Sequence, residues 1–136
     1  MSTILQIAGA DKNLTTLVKG LKATDLEETL NGIGPFTIFA PVNFAFGKLA
    51  PAAGFDDMIK HGNKVMLSDI INFHVVAGKK MHRDFSNGQK LKTVNGKEVS
   101  VSVKDGEVRI NGAKILAKDM QGSNGVVHSV DTVNIP

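Results

Sequence analysis

The sequence predicts an α+β fold in which helices come first and an antiparallel sheet follows. Up to about Asn72, apolar residues recur every three or four positions, as on one face of a helix, whereas later they alternate. Asn-Gly and Asp-Gly dipeptides, which favour tight hairpin turns, punctuate the second half. The 136 residues show no linker and no low-complexity tract, which predicts one domain over residues 1–136.

The helical pattern has two parts besides the pair Leu26 and Leu30, which follows Thr24 as a further expected cap. The first part is formed by Leu14, Leu17, Val18 and Leu21, and Asn13 precedes it as the expected N-cap. The second part runs from Met58 to Ile71 in two short segments, which Gly62 and Asn63 are expected to separate.

The stretch GPFTIFAPVNFAF at 34–46 lies between these two parts and allows two interpretations, a ligand pocket or a core junction. We favour the junction, in which a strand turns into a helix. Pro41 is expected to end the strand because it cannot donate to a strand ladder. Asn43 is expected to cap the helix that follows.

Alternation predicts the strands of the second half and is strict in the first of them. The segments are VSVSV at 99–103, EVRI at 107–110, KIL at 114–116 and a long closing strand from residue 125 to the end. Asp105-Gly106 stands between two alternating runs and is the strongest hairpin signal among the five such dipeptides.

Composition excludes several classes of protein. The apolar share of 42% and charged share of 21% are those of a globular chain. A net charge of +3 without Tyr or Trp is too weak for a dedicated nucleic-acid binder. The absence of Cys excludes disulfides, thiol catalysis and Cys-based zinc sites. No signal-peptide pattern and no apolar run of membrane-spanning length is visible.

Three stretches, in order, resemble the motifs of the fasciclin (FAS1) domain family. They are GPFTIFAPVNFAF at 34–46, LSDIINFHVVAG at 67–78 and SNGVVHSVDTVNIP at 123–136. Two positions depart from the usual pattern, because Val42 stands where a hydroxyl residue is usual and Phe73 stands for the Tyr that precedes His74.

The resemblance implies N-terminal helices packed on a β-wedge or sandwich. It also implies a non-catalytic adhesion or interaction domain at a cell surface, in the periplasm or in an extracellular matrix. We expect a monomer without a cofactor, whose partner is a cell-surface or matrix protein or an acidic polysaccharide, and not a nucleic acid or a membrane that the chain spans.

The four histidines are His61, His74, His82 and His128. No His, Asp or Glu stands at a ligand spacing from any of them, and His128 and Asp131, three apart in a strand pattern, are expected to face opposite sides. We therefore expect no metal site, and we expect His74, His128 and Asp131 to be structural. No GxSxG, P-loop or GxGxxG motif is present, so we expect no enzyme activity.

Two candidate partner sites remain. Asp119 and Met120 are predicted to lie in a loop, at the position where the resemblance implies an Asp-Ile pair linked to integrin binding in vertebrate adhesion members. An Asp there could equally brace a turn, which is the interpretation we favour.

The second candidate is a basic cluster of six residues: Lys79, Lys80, His82, Arg83, Lys90 and Lys92. It could attract an acidic polysaccharide or an anionic surface, or it could simply keep the protein soluble.

The first functional hypothesis is thus an adhesion or interaction module. The alternative is a carrier module for a small molecule or a glycan, which requires a sizeable apolar pocket. A hydrolase or metalloenzyme has the least support from the residues.

Overall fold

The structure is a computed structural model, and it describes residues 3–23, 30, 34–43, 45 and 64–133, without the side chains of 23 and 64–67. In this part the helices are α1 (Ile4–Ala10), α2 (Thr15–Ala23), α3 (Lys64–Asn72) and a 3-10 helix (His82–Asp84). The strands are β1 (Phe36–Pro41), β2 (Val75–Ala77), β3 (Lys90–Lys92), β4 (Glu98–Lys104), β5 (Glu107–Ile110), β6 (Ala113–Gly122) and β7 (Gly125–Val130).

The seven strands form one curved sheet in the order β2-β1-β7-β6-β5-β4-β3. Its two ends approach each other, because Val76 at one end forms a bridge with Thr93 at the other. The N–H of Val94 also donates to the carbonyl of Val75 at 2.8 Å. The sheet is therefore nearly a barrel, and the predicted α+β wedge is confirmed.

One strand pair differs from the predicted antiparallel sheet. β1 runs parallel to β7, with Phe36 opposite Gly125 and Pro41 opposite Val130. Parallel neighbours need a long crossover connection, and the whole chain between Pro41 and Gly125 provides it. Periodicity shows where strands lie but not which strands pair, so this pairing was not predictable from the alternation.

Two hydrophobic cores lie on opposite sides of β1. Ile38 and Ala40 pack with the helices in a first core, whereas Phe39 packs inside the curved sheet in a second core. This explains why β1 is buried along almost its whole length and why the stretch 34–46 is so apolar. The predicted strand does end at Pro41.

The predicted hairpins are partly confirmed. Asp105 and Gly106 have φ of 53° and 80° and join β4 to β5 in a two-residue turn, with Lys104 opposite Glu107. The Asn124-Gly125 prediction is wrong by one residue. Gly122 pairs with Gly125, so Ser123 and Asn124 form the turn and Gly125 begins β7.

The closing strand is shorter than predicted, because β7 ends at Val130. At the next residue, the Asp131 carboxylate accepts the N–H of Lys114 at 2.9 Å and the hydroxyl of Thr132 at 2.9 Å. This side chain binds a backbone group at the start of β6.

Helix α1 was not predicted. It begins with a capping box, in which the Thr3 hydroxyl accepts the N–H of Gln6 while the Gln6 side chain accepts the N–H of Thr3. The spacing Thr-x-x-Gln is a recognised helix-start signal that the sequence did contain. The predicted segment from Met58 to Asn63, which includes His61, lies outside the described residues.

The expected caps at Asn13 and Asn43 are both corrected. α2 begins at Thr15, and the Oδ1 of Asn43 accepts the N–H of Thr16 at 2.8 Å. Asn43 itself already has helical backbone, so it stands one residue inside the helix that it was expected to cap. Its side chain acts on a distant helix instead.

Candidate functional site

His128 lies at the centre of the candidate site, on β7, and is fully buried. Its Nε2 donates to the carbonyl of Lys80 at 2.7 Å, and its Nδ1 accepts the N–H of Asp119 at 3.1 Å. The rings of Phe39 and Phe85 pack around the imidazole with centroids 5.9 and 5.6 Å away. One neutral tautomer satisfies both contacts, since Nε2 carries the proton and Nδ1 carries the lone pair.

Burial lowers the pKa of His128 because the charged imidazolium would lose its water. The hydrogen bond to Lys80 and the carboxylate of Asp119, 4.0 Å from Nδ1, act in the opposite direction but are smaller. His128 is therefore neutral at pH 7 and joins two segments through their backbones.

The first of these segments, residues 78–84, follows β2. The buried hydroxyl of Thr37 on β1 donates to the carbonyl of Gly78 at 2.6 Å and accepts the N–H of Lys80 at 2.8 Å. Together with the His128 contact, this fixes the backbone of Lys80 on both its N–H and its carbonyl. The backbone that carries the lysine side chains of this segment is thus held in place by hydrogen bonds.

The second segment contains Asp119, and its structure differs from the predicted loop. Asp119 lies inside β6, at an irregularity between Ala117 and Met120 where the register shifts against β7. Its φ is 59°, a conformation that Asp tolerates better than most residues. Its carboxylate accepts the N–H of His82 at 2.8 Å, so it braces the connection after β2.

Met120 does not stand beside Asp119 as an exposed apolar contact. It pairs with Val127 and packs, partly buried, against the core on the helix side. The Asp119 carboxylate is turned to the N–H of His82 while Met120 packs against the helix-side core, so the two side chains are not presented together.

The structure thus joins two groups that are 37 residues apart in the sequence, the basic segment and Asp119. We call this arrangement the His128 junction and define it as Thr37, Lys80, His82, Asp119 and His128. Its exposed rim carries Lys79, whose Nζ donates to the Gln121 side chain at 2.8 Å, and Arg83.

The basic cluster is divided by the fold. Lys79, Lys80 and Arg83 belong to the segment 78–84. Lys90 and Lys92 lie on β3, where they face Ser100 and Glu98 of β4. A sequence window of fourteen residues therefore combines residues of two different structural elements.

The remaining predicted structural residue is His74, which is buried after α3. Its Nδ1 donates to the carbonyl of Ile70 at 2.7 Å, and burial lowers its pKa to about 4.

The polar side chains of the His128 junction form hydrogen bonds with backbone groups. None of the His, Asp and Glu side chains of the described residues form a group of three that could hold a metal ion. None of the helices in this part of the chain has the length and apolar character needed to cross a membrane.

The family model of the Fasciclin domain matches residues 12–136. The chain belongs to the fasciclin domain family. The predicted resemblance is therefore confirmed.

Individual relatives agree. The fasciclin domain is 39% identical over 134 residues to the protein sll1483 of Synechocystis sp., and the alignment covers 98% of this chain and 73% of that protein. It is 32% identical over 136 residues to the transforming growth factor-beta-induced protein ig-h3 of Sus scrofa, where it spans 20% of the length. Among solved structures, the FAS1 domain pair of the insect cell adhesion molecule Fasciclin I is similar, with a TM-score of 0.87 and 19% sequence identity. The match covers 99% of this chain and 51% of that one, and it shows the fold.

Two residues of this fasciclin domain that matter for its architecture were not singled out by sequence reasoning. One is Thr37, described above. The other is Asn124, which is buried and accepts the N–H of Ile4 at 3.0 Å while donating to the carbonyl of Leu30 at 2.7 Å. Its signal was the Asn-Gly dipeptide, which predicted a turn but not the contact with α1.

Proposed function

We propose that this fasciclin domain is a non-catalytic interaction module that binds a protein or glycan partner at a cell surface or in an extracellular matrix. Fasciclin I, whose fold it shares, is a cell adhesion molecule. The observation that carries the proposal is the His128 junction, which uses a buried histidine and a carboxylate to brace backbone and not to face a cleft.

The contact surface we propose is the rim of the junction. Lys79 and Arg83 are exposed there, and Lys80 is half-buried beside them. Because the backbone of this segment is fixed by Thr37 and His128, the cations are held without a large loss of chain entropy on binding. We assign Asp119 a positioning role and Met120 a packing role.

The described residues line open clefts on the surface. One, of about 340 Å³, is lined by His82 and by charged groups that include Glu107 and Lys114. Two larger clefts, of about 610 and 490 Å³, also have charged side chains in their lining, Asp11 and Lys12 in the first and Lys104 and Arg109 in the second. An apolar ligand would gain little from such a lining. We therefore place the partner on the surface, and we propose that the domain acts outside the cell.

The experiment is attachment of cells or matrix to surfaces coated with the wild type, with Lys79→Gln/Arg83→Gln, or with the control Lys19→Gln/Lys22→Gln on α2. All four side chains are exposed, and both variants lose two positive charges. We expect the rim variant to weaken attachment about fivefold, the scale for two exposed contacts, while the control stays at wild type. Equal attachment by all three proteins would refute the rim as the contact surface.

A further inference from the structure

The outward side of strands β3, β4 and β5 forms a second exposed surface. Burial alternates along these strands, with Leu91, Val99 and Val101 inside and their neighbours outside. The outward residues carry five cations, Lys90, Lys92, Lys104, Arg109 and, from the adjoining strand β6, Lys114. We call these outward positions the outer sheet face.

The register aligns these groups in rows across the strands. Ser102 faces Arg109, which in turn faces Lys114, and Lys90 faces Ser100. Neighbouring strands are about 4.8 Å apart and alternate residues of one strand about 7 Å apart, so the cations form a shallow grid. The cations come from residues 90 to 114, and no short window of the sequence showed them together.

The grid has an excess of positive charge. Its carboxylates are Glu98, opposite Lys92, and Glu107, opposite Lys104. Both oxygens of Glu107 are already engaged, one by the Arg109 Nε at 2.7 Å and the other by the Lys114 Nζ at 3.2 Å. Five cations against two carboxylates equal the formal excess of +3 of the whole chain, so the remainder of the protein is balanced.

The chemistry of this surface selects among anionic partners. Its outward positions hold Ser100 and Ser102 besides the charged groups. Serine hydroxyls can donate hydrogen bonds to sugar hydroxyls and accept them. The outward positions hold no aromatic ring on which a base could stack.

We propose that the outer sheet face docks an acidic polysaccharide. This inference rests on the proposed function as an interaction module and names the class of one partner. It places that partner on the sheet strands, beside the cleft that Glu107 and Lys114 share with His82 of the His128 junction.

The test uses Lys90→Gln/Lys104→Gln, which leaves the Glu107 ion pairs intact, and the control Lys19→Gln/Lys22→Gln. The probe is a soluble sulfated polysaccharide, and affinity is measured at several salt concentrations, with melting temperature as the check on folding. We expect at least a fivefold loss of affinity for the sheet variant and a salt slope smaller by about 2. Glu98→Gln removes one opposing charge and should bind more tightly than the wild type.

Several outcomes would overturn the proposal. One is an equal loss of affinity in the control, which would indicate an effect of total charge. Another is a loss of affinity confined to Lys79→Gln/Arg83→Gln. The third is tighter binding of duplex DNA of matched charge than of the polysaccharide. If the wild type ignores the polysaccharide but still attaches to cells through the junction rim, this proposal fails and the proposed function stands.

Discussion

The side chain of Asn43 caps helix α2 from a position 27 residues beyond the capped N–H, with its Oδ1 2.8 Å from the backbone nitrogen of Thr16. Its Nδ2 also donates to the carbonyl of Lys12 and to the hydroxyl of Thr15, both at 3.0 Å. One amide thus ties the start of α2 to the end of β1, where the helical layer meets the sheet.

Replacing Asn43 should therefore cost more than replacing the residue that the sequence suggested as the cap. We expect Asn43→Ala to lower the free energy of unfolding by about 1–2 kcal/mol, because the N–H of Thr16 loses its acceptor. Asn13→Ala should stay within about 0.5 kcal/mol of the wild type. Urea denaturation of both variants measures this, and a larger effect at Asn13 would show that the cap is assigned wrongly.

Gly125 allows the close approach of β1 and β7. A Cβ at this position would collide with the carbonyl oxygen of Phe36, which belongs to the backbone of the neighbouring strand and cannot turn aside. We expect Gly125→Ala to destabilise the protein by roughly 3 kcal/mol, the upper end for overpacking.

Gly106→Ala is the matched control for this substitution. Gly125 and Gly106 both have positive φ, of 155° and 80°, but a Cβ at Gly106 would meet open space. Its cost should be about 1–2 kcal/mol, that of the left-handed conformation alone. If both variants melt at the same temperature, close strand approach does not limit position 125.

Stability should fall in acid because two histidines are buried in their neutral form. The folded pKa of His74 is about 4, below its ordinary value of 6.5, and that of His128 is also lowered. The unfolded chain therefore binds more protons than the folded one as the pH falls from 6.5 towards 4, and stability is lost across that window. For His74 alone the slope reaches about 1.4 kcal/mol per pH unit.

Denaturation at pH 7.5 and pH 5 checks this prediction. Gln is not titratable but can still donate to the carbonyls that the two rings bind, so His74→Gln/His128→Gln should lose much less stability between the two pH values. A double variant as acid-sensitive as the wild type would assign the effect to other groups.

Substitutions of Asp119 distinguish two possible roles of its carboxylate, which are to brace the backbone and to contact the partner. Asp119→Asn keeps an oxygen acceptor for the N–H of His82 and tolerates a φ of 59°, so stability should remain within about 0.5 kcal/mol and attachment should be unchanged. Asp119→Ala loses the acceptor and should be about 1–2 kcal/mol less stable. If Asp119→Asn folds normally but abolishes attachment, the carboxylate itself contacts the partner.

The sequence predicted those features that depend on local signals. Alternation located β4 and β5, and the Asp105-Gly106 dipeptide located the turn between them. The features that were missed depend on distant partners. Asp119 was assigned to a loop because its polar neighbours hide strand periodicity, and its partner, the N–H of His82, is 37 residues away.

The same limit applies to the candidate site. Lys79, Lys80 and Arg83 were recognisable as a local run of charge. The backbone that carries them is held by hydrogen bonds to Thr37 of β1 and His128 of β7. The parallel pairing of those two strands creates the junction, and periodicity carries no information about pairing.

The role as an interaction module is tested by a saturation isotherm of the soluble wild-type chain on intact cells and on cell-derived matrix. We expect saturable binding that unlabelled wild type displaces and that Lys79→Gln/Arg83→Gln displaces about fivefold less effectively. Binding that fails to saturate, or that does not exceed binding of a heat-unfolded sample of the same chain, would show that the domain does not act as an adhesion module.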